Sequence, residues 1–225
     1  MRIITRSLVV VAALLLVGVS GAFADTISST LDTGNTALAG ITGPFGTVSV
    51  DLTSSTTAMI TFTAASGFLS GASSAADANI NATSWAISAL TGTALSGFSG
   101  PTLSDGGSGN VDGFGVINQT LNEFDGFTSA LSSISFTVTN TGGTWASAAN
   151  VLTANASGFD AAAHIFVCGN ADNSAPGDCV ASNGAFVTVF AAESAMTTPE
   201  PSSLLLLGAG ALSLLRLRKK ATSVA

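Results

Sequence analysis

The sequence predicts an all-β protein, with one β-sandwich of jelly-roll type between two short apolar end segments. Three observations carry that expectation. Apolar and polar residues alternate with period two in several short runs, whereas no helical period is sustained between the ends. Gly-rich turn signals separate the runs. A chain of 225 residues with 47 % apolar and 8 % charged side chains has enough apolar material for one β core.

In chain order, Val48, Val50 and Leu52 alternate with Thr47, Ser49 and Asp51; Ala58, Ile60 and Phe62 alternate with Thr57, Met59, Thr61 and Thr63. Trp85, Ile87 and Ala89 form a weaker run, and Ile134, Phe136 and Val138 among Ser133, Ser135, Thr137 and Thr139 form the cleanest one. Ala161–Cys168 and Ala185–Ala191 read as nearly continuous apolar strands. Threonine suits the outer face, being both β-branched and polar. Gly-Phe pairs recur at Gly67-Phe68, Gly97-Phe98, Gly113-Phe114, Gly126-Phe127 and Gly158-Phe159. Each is read as a turn glycine followed by a phenylalanine that anchors a strand in the core. No fixed period connects them, which disfavours a solenoid. The body is placed at residues 25–192, with residues 193–198 as a linker.

The charge map is uneven. Thirteen acidic and six basic residues give a formal net charge of −7, and all six basic residues lie at the ends. From Asp25 to Thr198 there is no Lys, no Arg and a single histidine. Such a body lacks the cations and guanidinium forks that hold phosphates, so no nucleic acid and no nucleotide partner is expected. It would repel anionic surfaces and attract divalent cations.

Met1–Ala24 reads as a secretory signal peptide: Arg2 and Arg6 form the basic start and Leu8–Val19 the apolar stretch. Ala22-Phe23-Ala24 supplies the small-x-small cleavage site before Asp25, so the translocon and signal peptidase are the first expected partners. At the other end, Pro199-Glu200-Pro201 precedes an apolar run from Ser202 to Leu215 and a basic cluster over residues 216–220. Two prolines around one residue hold Glu200 in an extended form that a protease can bind. The apolar run, read as a membrane helix, has 14 residues, against the roughly 20 of an easy span, and snorkelling by Arg216 and Arg218 would extend it. The basic cluster stays cytoplasmic by the positive-inside bias, which places the body on the opposite side.

This three-part end resembles the PEP-CTERM sorting signal of Gram-negative bacteria that make exopolysaccharide. The resemblance covers residues 198–220. It implies recognition through Pro199, Glu200 and Pro201 by an exosortase-type membrane protease, with removal of the apolar run and basic cluster beyond the motif. A plain C-terminal anchor is the other reading of the same segment.

Inside the body, Cys168 and Cys179 enclose ten residues rich in Asn, Asp, Gly and Pro, a local even pair that in an exported chain reads as a disulfide. Asp105, Asn110 and Asp112 place hard oxygens on a glycine-rich stretch that suits Ca²⁺, partly like a calcium-binding nonapeptide repeat, or serve as an ordinary turn. Asn170, Asp172, Asn173 and Asp178 of the cysteine loop form a second, weaker calcium candidate. No other cofactor is expected. Trp145, after Gly142-Gly143-Thr144, is the candidate for stacking on a sugar ring, with Trp85 behind it. Glu123 and Asp125 are the carboxylate pair a glycoside hydrolase would need, although sequence does not show their separation. His164 has no triad or metal partner at motif spacing and reads as structural. Asn81, Asn118 and Asn155 begin Asn-x-Ser/Thr sequons.

These readings sum to a non-enzymatic exported protein, held transiently at the inner membrane and then passed to the cell surface or exopolysaccharide matrix. A secreted carbohydrate-binding module, calcium-dependent or not, is the alternative, and a secreted hydrolase the third.

Overall fold

The computed structural model describes residues 25–124 and 126–193. The signal peptide with Ala22 and Ala24, Asp125, and the motif at Pro199-Glu200-Pro201 with its apolar run lie outside the described residues. Among the described residues eleven strands occur, in the order β1 Asp25–Gly34, β2 Gly46–Ser54, β3 Thr57–Ala64, β4 Phe68–Ser70, β5 Ala72–Ala78, β6 Trp85–Thr93, β7 Ser104–Val111, β8 Gly115–Glu123, β9 Ser133–Asn140, β10 Ala161–Cys168 and β11 Ala185–Glu193. Among the described residues the only helical pieces are three single 3-10 turns. The all-β expectation is met.

All pairings are antiparallel, and the strands join into one nearly closed sheet of order β6-β9-β3-β2-β1-β11-β10-β5-β8-β7, with β4 added beside β10. The ends of this order come back towards each other. Trp85 Nε1 on edge strand β6 donates to Gln119 Oε1 on β8 at 2.9 Å. Gln119 Nε2 in turn donates to Asp105 Oδ1 on edge strand β7, also at 2.9 Å. Lysine, the usual guard of exposed edges, is absent here. Register shifts do that work instead: β6 carries one between Ser88 and Thr91, and β7 carries two.

The inner face is the core. Val48, Val50, Leu52, Ala58, Ile60, Phe62, Ile134, Phe136 and Val138 are all buried there, as the alternation predicts. The opposite face of the same half of the sheet is almost entirely hydroxyl-bearing. Ser28, Ser49, Thr61, Ser135 and Thr91 stand in register across β1, β2, β3, β9 and β6. The adjacent rank is Thr30, Thr47, Thr63, Ser133 and Thr93. The third is Thr26, Asp51, Met59, Thr137 and Ser88, which brings in the only charge of the three.

The other half of the sheet covers its outer face with apolar side chains. One group gathers Val111, Phe114 and Ile117 over Ala162 and Ala192; a second gathers Leu69 and Ala130 over Phe166 and Cys168. The Gly-Phe pairs build these covers. All five glycines have φ between 77° and 91°, a region that L side chains avoid. Their phenylalanines pair edge to face, Phe98 with Phe127 and Phe114 with Phe159, and Phe68 does the same with Phe45. The expected destination differs from the observed one: four of the five rings pack on the outer cover, and only Phe68 packs against the main core.

β7 is the largest departure. Its sequence, Ser-Asp-Gly-Gly-Ser-Gly-Asn-Val, reads as a flexible loop, yet it forms an eight-residue strand because β8 offers a ladder beside it. The body also runs one residue further than expected, since Glu193 is the last residue of β11 and is buried.

Candidate functional site

Cys168 and Cys179 are joined, with Cα atoms 5.0 Å apart. The bond pins the loop over residues 169–178 to the end of β10, and Cys168 itself is buried in the outer cover. Replacing both by serine should lower the unfolding free energy by roughly 2–3 kcal/mol in the chain-entropy account, read as a lower thermal midpoint than that of the oxidised protein.

The proposed calcium ligands do not converge. Asp105 and Asn110 lie on β7, and Asp112 lies in the turn after it. Six residues of strand lie between the two aspartates, which puts them roughly 20 Å apart when extended. Asp105 Oδ1 accepts hydrogen bonds from Gly107 N (2.8 Å) and Gln119 Nε2 (2.9 Å), so it braces the sheet edge. Asp112 Oδ2 faces Asn35 Nδ2 at 3.5 Å. In the cysteine loop, Asp172 Oδ1 accepts from Ser174 Oγ at 2.6 Å, which with other bonds from that turn holds its carboxyl below the usual range. Among the described residues no three His, Cys, Asp or Glu side chains gather to hold a metal ion.

Trp145 is corrected as well. It is 3 % exposed, within the main core, and Nε1 donates to Asn81 O at 2.7 Å. The preceding glycines let the chain turn inward, so the ring is a plug. Trp85 is half-buried and engaged with Gln119. Trp145 offers no free face for a sugar.

Glu123 is fully buried, and both its oxygens serve Thr102: Oε2 accepts from the backbone N (2.7 Å) and Oε1 from Oγ1 (2.6 Å). This carboxylate anchors the loop before β7. The sequon asparagines are also structural. Asn118 grips Ile80 as a second backbone would, through Ile80 N to Oδ1 (2.7 Å) and Nδ2 to Ile80 O (2.9 Å). Asn155 Nδ2 donates to Phe114 O and Val116 O, while its Oδ1 accepts from Ser157 N and Phe159 N. Asn81 donates to Asn150 O. Amide side chains thus supply much of the bracing that lysine and arginine give elsewhere.

His164 lies on the outer face of β10, stacked against Phe190 (4.4 Å) and Phe166 (5.5 Å). Nδ1 is 3.2 Å from Ser73 O, so the proton sits on Nδ1. Burial lowers the imidazole pKa.

Two groups escaped sequence reasoning. Asp77, in the alanine run of β5, is completely buried, and neither oxygen has a hydrogen-bond partner. Burial holds the carboxyl well above the normal range, with Ser74 pulling the other way. The signal was present: a lone acid within Ala75-Ala76-Asp77-Ala78. Glu193, placed in the linker from sequence, links three strands. Its Oε2 accepts from Ser29 Oγ on β1 (2.9 Å) and its Oε1 from Ala161 N on β10 (2.7 Å). Burial, reinforced by the charge of Asp160, pushes its pKa up to about 7.

Among the described residues no helix is long and apolar enough to cross a membrane. No curated protein and no solved structure matches the chain. The family model of the PEP-CTERM protein-sorting motif matches residues 197–220, on the residues read from the sequence. The chain therefore carries a PEP-CTERM sorting motif, which marks it as an exported protein of the kind handled by exosortase-type machinery.

Proposed function

We propose that this chain is a non-enzymatic structural protein of the cell surface or exopolysaccharide matrix. The signal peptide over residues 1–24 takes it through the translocon, and signal peptidase cuts before Asp25. An exosortase-type protease then acts at Pro199-Glu200-Pro201 and releases the body. The sorting motif at 197–220 carries this reading. Two features of the body support it. The single carboxylate of the expected hydrolytic pair that is described, Glu123, has both oxygens occupied by Thr102. The surface lacks the cations that would trap acidic glycans. In the same reading the sheet doubles over into two layers where β1 leaves β2 for β11, which gives the jelly-roll-like sandwich.

Intact masses of the native protein from membrane and extracellular fractions test the route. An extracellular species beginning at Asp25 and ending near the motif is expected, and a Pro199→Ala/Pro201→Ala variant should accumulate in the membrane instead. A native protein found only in the membrane and still holding Arg216–Ala225 would make the tail a plain anchor.

A further inference from the structure

We infer that the hydroxyl-covered face of β1, β2, β3, β9 and β6 is a binding face for uncharged polysaccharide. This deepens the matrix reading above and rests on it.

The face is a lattice. Side chains on one face recur about 4.7–4.9 Å apart across the strands and about 6.6–6.8 Å along them. The central rank, Ser28-Ser49-Thr61-Ser135-Thr91, presents one hydroxyl per strand over five strands. Its members are linked in places, Thr61 Oγ1 to Ser135 Oγ at 2.8 Å and Thr91 Oγ1 to Ser135 O at 3.4 Å. The neighbouring rank through Thr63 repeats the pattern without a gap. Each hydroxyl both donates and accepts, as sugar hydroxyls do. Each threonine adds a methyl that suits the C–H face of a pyranose.

Charge selects the polymer. Neither of these two ranks holds an ionisable group, and the body contains twelve acidic residues (thirteen less Glu200) without one lysine or arginine. A carboxylated or sulfated glycan would be repelled. Length selects a polymer over a free sugar. Each hydroxyl exchanges a bond to water for a bond to ligand and gains little. A chain lying along a rank engages many such groups at once, and avidity accumulates.

Affinity electrophoresis of the processed protein tests this, in native gels cast with dextran, hydroxyethylcellulose or alginate. Mobility should fall at least twofold in one of the neutral polymers relative to a polymer-free gel, and should not fall in alginate. Thr63→Val/Thr91→Val, which removes hydroxyls while keeping shape, should lose at least half of the retardation. Thr188→Val, on the exposed part of β11, should keep it. Thr63→Glu, with circular dichroism to check folding, provides a second variant that blocks the face. Unchanged mobility in both neutral polymers would overturn the inference while leaving the export route, judged by masses, untouched. Equal retardation of wild type and of the folded face variants would also overturn it, as would retardation in alginate.

Discussion

Replacing Trp145 with alanine should cost about 3–5 kcal/mol of stability, the range for deleting a buried large aromatic. The indole is almost fully buried in the main core. It also fastens two loops, because its backbone N donates to Ser55 O and its Nε1 to Asn81 O, both at 2.7 Å. Phe at this position should cost less, since the ring volume is largely restored. It would still leave the Asn81 carbonyl without its donor, at about 1–3 kcal/mol. Urea denaturation followed by circular dichroism gives both values. An alanine variant within about 0.5 kcal/mol of wild type, the usual range for a surface change, would return the residue to the surface and reopen its reading as a sugar platform.

Stability should fall as pH rises from about 4.5 to about 7, with the raised carboxyls of Glu193 and Asp77 as the causes. The Glu193 carboxyl ionises near 4.5 in the unfolded chain and near 7 in the folded one. The unfolded state therefore releases its proton first, so the contribution is complete below 4.5 and is lost as pH climbs through 7. A shift of that size amounts to roughly 3 kcal/mol. Asp77 acts in the same direction, since burial also raises its pKa, with Ser74 pulling the other way. His164 acts oppositely: its lowered pKa favours the neutral ring in the folded state, so its contribution is full above 6.5 and weakens as pH falls. Denaturant midpoints at pH 4.5 and 8 measure the sum. Glu193→Gln should remove the Glu193 share of the slope while keeping the fold, because the amide can place its oxygen on Ala161 N and its NH₂ on Ser29 Oγ. Asp77→Asn should flatten what remains. If the Gln variant kept the wild-type pH profile, the assignment to Glu193 would be wrong.

How far the sequence carried the fold depended on where each strand found its partner. β2, β3 and β9 declare themselves because each has one face in the core and one in water, which writes period two into the chain. β7 has no apolar face at all beyond Val111, and only its ladder with β8 makes it a strand. Composition is blind to that. The disulfide was legible because both cysteines are close in sequence. The calcium candidate was read onto a loop for the same reason that β7 was missed, and residues that a loop would gather are spread out on a strand. Trp145 shows a third limit: two glycines announce a turn but not which way the next side chain points. Asp77 and Glu193 needed the third dimension, because only packing shows that an acid has lost its water.

The position of β11 has a mechanical consequence. It is flanked by β1 and β10, and seven of its residues pair with β10. Inter-strand bonds run perpendicular to the strands. A pull applied along the axis of β11 would load these bonds together in shear instead of opening them one after another. If β11 were torn free, the slack would end at Cys179, where the covalent bond returns the load to Cys168 at the end of β10. A tether attached downstream of the body would meet a strong grip first and a hard stop behind it.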